Sequence, residues 1–514
     1  MPTDAALPGA AESYWMSSTD ATRFAPLTDD VTVDAVVVGG GIAGLSAAWE
    51  LAASGRSVAV VEADRIAAGV SGHTTAKLTA QHGLVYGRLR RTRGEDGARL
   101  YARSQQDAVE RVAELAGTLG IDCAFERASA FAYTLDPGAL AAVRDEAAAA
   151  REAGLAAEYT GQCDLPFPVA GAVRVDGQAQ FHPRAYLLGL AAALTARGGT
   201  VYERSRVTGL TEGEPCRVTT ESGATVTARD VVVATGYPVF DRALLFTRLS
   251  PRRELVVAAP LDAAAAPRGM YITEDGGKRS VRTAPLPDGR RLLIVTGEGF
   301  TPGAGRVAER FRRLDSWMHE RFPVAGTAYR WAAQDNDPTD TVALVGPLHP
   351  GARHTFVATG FGGWGMSGGV MAGRLLSELI GGRRPAWAGL YDPARIGPVI
   401  REAPALLRQQ ADVARHFLGD RLRPASGTLD GIAPGEGAIV RVGGHRCAVH
   451  RAEDGTLHAV SARCSHLGCL VAFNAAESTW ECPCHGSRFA VDGTVLQGPA
   501  VHPLEPRPVD PERP

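Results

Sequence analysis

No stretch of the 514-residue chain is apolar for long enough to cross a bilayer as a helix. The first 32 residues lack a basic segment followed by an apolar one, and they lack a twin-arginine pair, so a cytoplasmic location is expected. Excess charge is missing too: 54 Lys and Arg face 56 Asp and Glu, a formal net charge of −2. That balance gives no electrostatic case for nucleic acid or for an anionic membrane surface. Cysteine is sparse, at eight residues. Cys123, Cys163, Cys216 and Cys447 are scattered and read as ordinary free thiols. The length exceeds what a single core supports, so two or three domains are expected.

The other four cysteines are concentrated near the C-terminus. Cys464 and His466 form C-x-H; fifteen residues later Cys482 and His485 form C-x-x-H. Each loop offers one thiolate and one imidazole. Two soft sulfurs and two neutral nitrogens suit a [2Fe–2S] cluster with Cys on one iron and His on the other. The competing reading is a structural zinc site, which also accepts two Cys and two His. Zinc fingers usually place their cysteines together and their histidines together, whereas here each loop carries one of each.

The stretch resembles the Rieske domain of the respiratory cytochrome complexes. The resemblance implies that Cys464, His466, Cys482 and His485 ligate the cluster and that Cys469 and Cys484 form a disulfide tying the loops together. It places Ser487 where a hydroxyl bonds a cluster sulfur, and Gly498-Pro499-Ala500 where a proline loop covers the cluster. Phe489 departs from the pattern, standing where high-potential members carry a Tyr that bonds a Cys sulfur. Without that donor the potential is expected below the respiratory members, inside the broad range of about −150 to +300 mV.

Residues 31–62 carry the second signal. An apolar strand at 33–38 runs into Gly39-Gly40-Gly41-Ile42-Ala43-Gly44, a G-x-G-x-x-G turn. A helical run over 45–54 follows, then a second apolar strand at 57–61 ending on Glu62 and Ala63. This is the dinucleotide-binding fingerprint in its required context. The glycines admit the pyrophosphate to the helix N-terminus, and Glu62 accepts hydrogen bonds from the ribose. An acid there disfavours a 2′-phosphate, which leaves NAD or FAD.

The next stretch, Gly69-Val70-Ser71-Gly72-His73-Thr74-Thr75-Ala76-Lys77, resembles the D-amino-acid-oxidase-like flavoproteins. FAD is therefore the cofactor the resemblance implies, with Thr74 and Thr75 beside it. His73 falls where the dehydrogenase branch links its flavin covalently; alternatively it hydrogen-bonds near the ring. The same resemblance places Val207, Ala234 and Gly236 against the cofactor. It makes the glycine loop holding Gly360, Gly363, Gly365 and Met366 the C-terminal flavin loop, whose helix stabilises negative charge on the reduced ring. Alternating runs over 245–300 suit an antiparallel sheet over the flavin. Arg282, Trp331, Trp364 and Met366 are pocket candidates, an Arg for a substrate carboxylate and aromatics for an amine. No side-chain general base is named.

The expected fold is α/β (α+β): a Rossmann-like FAD-binding domain, an antiparallel-sheet substrate domain and an all-β Rieske domain. Residues 1–30 read as an N-terminal extension. Residues 31–384 read as the oxidoreductase, with FAD-binding parts near 31–95, 183–240 and 340–384 and substrate parts near 96–182 and 241–339. Residues 385–426 read as a linker with a docking helix around 403–417, and 427–514 as the Rieske domain. The expected reaction is oxidation of a C–N bond in an amine, N-methyl amine or amino acid, with electrons relayed through the cluster to an external partner. The alternative is reverse traffic, from cluster to flavin. Ring hydroxylation is disfavoured, because it needs a separate two-His, one-carboxylate iron.

Overall fold

Two large sheets and a small C-terminal unit make up the chain. The computed structural model describes residues 7–273, 275–395 and 428–507; the docking helix expected around 403–417 lies outside them. The first sheet has eight strands. Its main path runs Leu344–Pro347, Thr355–Thr359, Thr225–Gly236, Val31–Val38, Val58–Val61, Thr200–Tyr202. Val31–Val38 lies parallel to both Thr225–Gly236 and Val58–Val61. Its residues alternate between two cores: Ala35 and Val37 pack on one side, Val36 and Val38 on the other. Both faces are covered, which is why the strand reads as a continuous apolar run rather than an alternating one.

Two helices, Ile42–Ala53 and Gly365–Ile380, cover one face and pack against each other. Small residues make the close approach possible. A Cβ added at Gly369 would come within 2.7 Å of the Ile42 side chain, and one at Gly373 within 2.6 Å of Ser46. The crossing brings the starts of both helices together at one end of the sheet.

The second sheet has nine strands, with Tyr329–Pro338 at one edge and the two-residue strand Lys77–Leu78 at the other. Along Leu249–Leu261, Leu255 and Val257 join the core under helix Val307–Arg321, while Val256 and Ala258 join a cluster with Tyr14, Trp15 and Trp331. The N-terminal segment therefore forms part of the packing: Trp15 is 1% exposed and Ala10 bridges to Tyr329 of this sheet, while Leu27 joins a core of the first sheet. The sequence suggests a break at Asp176-Gly177, but Gly171–Gln180 is one strand. The register against Glu126–Thr134 shifts between Ala128 and Ala130, so a bulge absorbs the extra residue.

The C-terminal unit holds a three-stranded sheet (Gly437–Val442, His445–Arg451, Leu457–Ser461) and a four-stranded one built from Ala472–Asn474 to Val495–Gln497. Its core gathers Cys464, Cys469, Cys482 and Cys484 around Trp480 and Phe489. No described helix is long and apolar enough to cross a membrane.

Candidate active site and cluster site

Strand Val31–Val38 delivers the glycine turn. Gly39 has φ +108°, and a Cβ there would lie 2.5 Å from the Ala234 carbonyl; only glycine lets the turn pass this close to the neighbouring strand. Gly44 approaches the Gly39 carbonyl just as tightly. Gly41 is the N-cap of helix Ile42–Ala53 and has no side chain to cap it; Ser71 Oγ accepts from Ile42 N at 3.0 Å, and a helix start of this kind favours an anion. Glu62 closes the second strand; its carboxylate accepts from Gly40 N at 2.7 Å and Asp64 N at 3.0 Å. Burial raises its carboxyl above the ordinary Glu value and those N–H donors oppose the rise. Ala63 follows it beside the turn. This glycine cradle at the start of a helix, with a buried acid closing the next strand, fits a bound FAD.

Across the sheet, strand Thr355–Thr359 enters a loop in which Gly360, Gly362 and Gly363 all have positive φ, before helix Gly365–Ile380. The loop repeats the G-x-G-x-x-G spacing at 360–365. Gly363 N donates to Asp335 at 2.7 Å, and burial pushes that carboxyl up to about 6. Gly236, also at positive φ, accepts from the Thr359 hydroxyl, and Val207 is buried at the start of its strand. Between these elements runs the 69–77 stretch. His73 Nδ1 lies 2.9 Å from the Gly69 carbonyl. The His73 carbonyl accepts from Trp331 Nε1 at 2.8 Å, and the Thr74 carbonyl from Trp15 Nε1 at 2.6 Å.

A cleft opens between this stretch, the 360–365 loop and the second sheet. Thr74, Thr75, Gly363 and Trp364 line it. The remaining pocket candidates lie elsewhere. Arg282 is 1% exposed, donates to the Ala76 and Phe181 carbonyls and sits over the Trp15 ring. Trp331 is spent on the His73 carbonyl, and Met366 packs in the core under the first sheet. An aromatic-walled, arginine-clamped pocket is thus not what forms. The walls are polar and charged, with Lys77, Arg252, Glu254 and Lys278 among them. Arg252 pairs with Glu254 at 3.5 Å and Asp337 at 3.3 Å. The sequence reading gave no role to Lys77 or to His82, which stacks on Trp364 at 4.6 Å and bonds Tyr101 and Ser367. The only local signal was their place in and just after the 69–77 stretch; their distant partners, Tyr101, Ser280 and Ser367, lie 19 to 285 residues away.

At the cluster site, Cys464 and Cys482 are buried free thiols. Cys469 and Cys484 form a disulfide, and the sulfurs of Cys469, Cys482 and Cys484 lie within 4.8 Å of one another. His466 and His485 meet edge to face at 5.0 Å. The Nδ1 atoms of both rings are buried and have no hydrogen-bond partner, an arrangement that costs free energy unless something binds there. Burial favours the neutral, ligating imidazole in both, pushing His485 down to about 4. Hydrogen bonds from Cys482, from the His466 and Leu467 amides and from Ser487 act on Cys464 and lower its pKa to about 7. Two orphaned nitrogens beside two donor-supplied sulfurs fit a [2Fe–2S] cluster of Rieske type. Phe489 is fully buried and offers no donor.

A family model described as FAD dependent oxidoreductase matches residues 34–379, and one described as Rieske [2Fe-2S] domain matches residues 426–508. The chain belongs to the FAD dependent oxidoreductase family. YhfW of Bacillus subtilis (strain 168), provisionally named a Rieske 2Fe-2S iron-sulfur protein, is 32% identical over 502 residues, 96% of this chain and 97% of its own. Gamma-glutamylputrescine oxidoreductase of Escherichia coli (strain K12) is 27% identical over 387 residues, 72% of this chain and 89% of its own. Glycine oxidase from Geobacillus kaustophilus superposes with a TM-score of 0.56 at 21% identity, covering 71% of this chain and 100% of that one; this likeness concerns the fold.

In this FAD dependent oxidoreductase the Rieske domain is seated directly on the nine-stranded sheet. Gly486, next to His485, has φ +81° and lies so close to Gln334 that a Cβ there would clash with its amide. Gln334 Nε2 donates to the Gly486 carbonyl at 2.7 Å. The neighbouring residue, Asp335, holds Gly363 of the 360–365 loop, so adjacent residues of one strand touch both this loop and the loop carrying His485. His485 packs edge-on against Phe246 at 5.5 Å and Tyr237 at 6.1 Å. Beside it Arg253 pairs with Glu477 and Glu481, and Glu481 also accepts from Gly303 N at 2.8 Å. The charges of Arg253, Glu477 and Arg488 reach His73.

Proposed function

We propose that this protein oxidises a C–N bond of a small amine or amino acid and that the electrons leave singly, through the Rieske cluster, to an external acceptor. Bound FAD supplies a two-electron acceptor for a hydride from carbon next to nitrogen, and the [2Fe–2S] cluster a one-electron centre. The observation that carries the reading is the Gln334–Asp335 dipeptide, which ties the cluster loop at Gly486 to the flavin loop at Gly363. Cofactor loops bonded to adjacent residues of one strand favour direct passage between them. The substrate class rests on the gamma-glutamylputrescine oxidoreductase relative and on the cavity.

The chain's own groups orient and shield. Thr74, Thr75 and Ser280 present hydroxyls to the cavity, and Trp364, fixed by stacking on His82, closes one side of it. The uncapped start of helix Gly365–Ile380 favours negative charge nearby. The test is anaerobic mixing of holoprotein with gamma-glutamylputrescine, putrescine, glycine, N-methylglycine and L-proline, following flavin absorbance and the cluster's EPR signal. Bleaching followed by growth of the reduced-cluster signal is expected. If none of these bleaches the flavin while reduced ferredoxin or NAD(P)H does, traffic runs from cluster to flavin and the dehydrogenase reading falls. Acid precipitation of the holoprotein decides the role of His73: flavin retained on its peptide marks a covalent link, and flavin released marks a contact only.

A further inference from the structure

The chain uses arginine for 52 of its 54 basic residues and lysine for only two, Lys77 and Lys278. Both lysines line the cavity beside the flavin loops. If the task there were to clamp a carboxylate, arginine would do it better, with its fixed fork and permanent charge. What lysine alone offers is a nitrogen that can give up its proton and take one back.

Of the two, Lys77 has the surroundings for that. It sits on the two-residue edge strand Lys77–Leu78, two residues beyond Thr75. Its Nζ bonds the Thr75 hydroxyl at 3.3 Å and the Ser280 hydroxyl; both of these partners are neutral. The charged groups around it come from three elements. Arg282, on strand Arg279–Pro285, and Lys278, just before it, oppose its protonation, and Glu254 on Leu249–Leu261 favours it. Glu254 is already paired with Arg252, and Arg252 also with Asp337. Burial comes first among the causes that bring Lys77 down to about 7, and the Arg282 charge next. A further cavity-lining hydroxyl, Thr296 Oγ1, is buried with no hydrogen-bond partner, a vacancy that suits a polar ligand.

We propose that Lys77 is the proton acceptor for the substrate's ammonium group, an assignment that rests on the amine-oxidation reading above. An N–H bond of the substrate ammonium breaks, the proton forms a new N–H bond on Lys77 Nζ, and the electron pair stays on the substrate nitrogen. No oxidation state changes in this step. The freed pair is what lets the adjacent carbon part with hydride, and Lys77 later returns its proton to water. The cavity thus carries its own base, poised close to the operating pH where general bases are most effective.

The test uses holoprotein grown on lysine carrying 13C at Cε, which gives two side-chain signals, assigned with Lys278→Arg. The Lys77 signal is expected to titrate with a midpoint at about 7; a midpoint near 10, as for an ordinary lysine, overturns the assignment. Flavin reduction by the panel amine that bleaches fastest supplies the second arm. In Lys77→Arg, which keeps the charge but has no neutral form to accept a proton, the rate at pH 7.5 is expected to fall about 100-fold. The rise of rate through pH 7 should vanish with it. A rate within threefold of the parent overturns the proposal. Lys77→Met, which removes charge and proton together, must fall as well, and a Met variant as fast as the parent also overturns it. If no amine in the panel reduces the flavin, the amine reading fails and this role with it. A Cε midpoint at about 7 then locates the failure in the substrate class, and one near 10 locates it in Lys77.

Discussion

Arg253 and Lys77 are both cations withdrawn from water, and their surroundings differ in one respect. Arg253 is fully buried between the domains and meets two carboxylates, Glu477 and Glu481, the second also fully buried. Asn474 Nδ2 donates to both carboxylates as well, and Gly303 N donates to the second oxygen of Glu481. Lys77 meets two hydroxyls and a second cation's field. The first arrangement fixes charge in place and docks one domain on another. The second leaves the protonation state open. A buried charge bonded to opposite charge builds structure, while one bonded only to neutral groups is available for chemistry.

The comparison can be broken first at the docked pair. Arg253→Ala leaves Glu477 and Glu481 sharing the one remaining guanidinium of Arg488, so one charge goes uncompensated and a loss of about 3–5 kcal/mol is expected; denaturant unfolding measures it. A loss under about 1 kcal/mol would show that the domains do not depend on this pair. At Lys77 the expectation concerns pH. Its folded-state pKa is lowered, so the unfolded chain binds the proton more tightly. This group therefore makes stability rise with pH between about 7 and 10, by up to about 1.4 kcal/mol per pH unit. Lys77→Met should flatten that slope, which stability measured across the pH range in both proteins would reveal.

Smaller effects sharpen the picture at the cluster. Gln334→Leu removes the donor to the Gly486 carbonyl and should cost about 1–2 kcal/mol. It should also slow flavin-to-cluster electron transfer in stopped flow more than it slows flavin bleaching. Equal slowing would place Gln334 in packing alone. Phe489→Tyr supplies the missing sulfur hydrogen bond. At about 1 kcal/mol it should raise the cluster midpoint by about 40 mV, read by redox titration of the EPR signal.

Local patterns made much of this legible. The glycine turn at 39–44 needs only its flanking strand and helix, all within about 30 residues, so backbone freedom and apolar runs betray it. The Cys464, His466, Cys482 and His485 set is similarly compact, and its soft-and-borderline donors narrow the metal chemistry before any fold is known. The pocket was not legible in this way. Arg282, on an alternating strand, reads equally well as a substrate clamp or as a buried brace. Only the packing of Trp15, from a segment that reads as an extension, makes it a brace. Lys77 stands inside the flavin stretch, yet its role depends on Ser280, Glu254 and Arg282, 177 to 205 residues further on.

The sequence by itself determined the two cofactors, the order of the domains and the family, because each rests on short-range spacing and backbone permissiveness. The tertiary structure decided which charged groups are paired across the Arg253 interface and which face the cavity. It also decided that one strand carries both the Gly486 and the Gly363 contacts. Burial and pairing are properties of surfaces brought together from distant segments, and the free energy of a charge depends on them far more than on its neighbours along the chain.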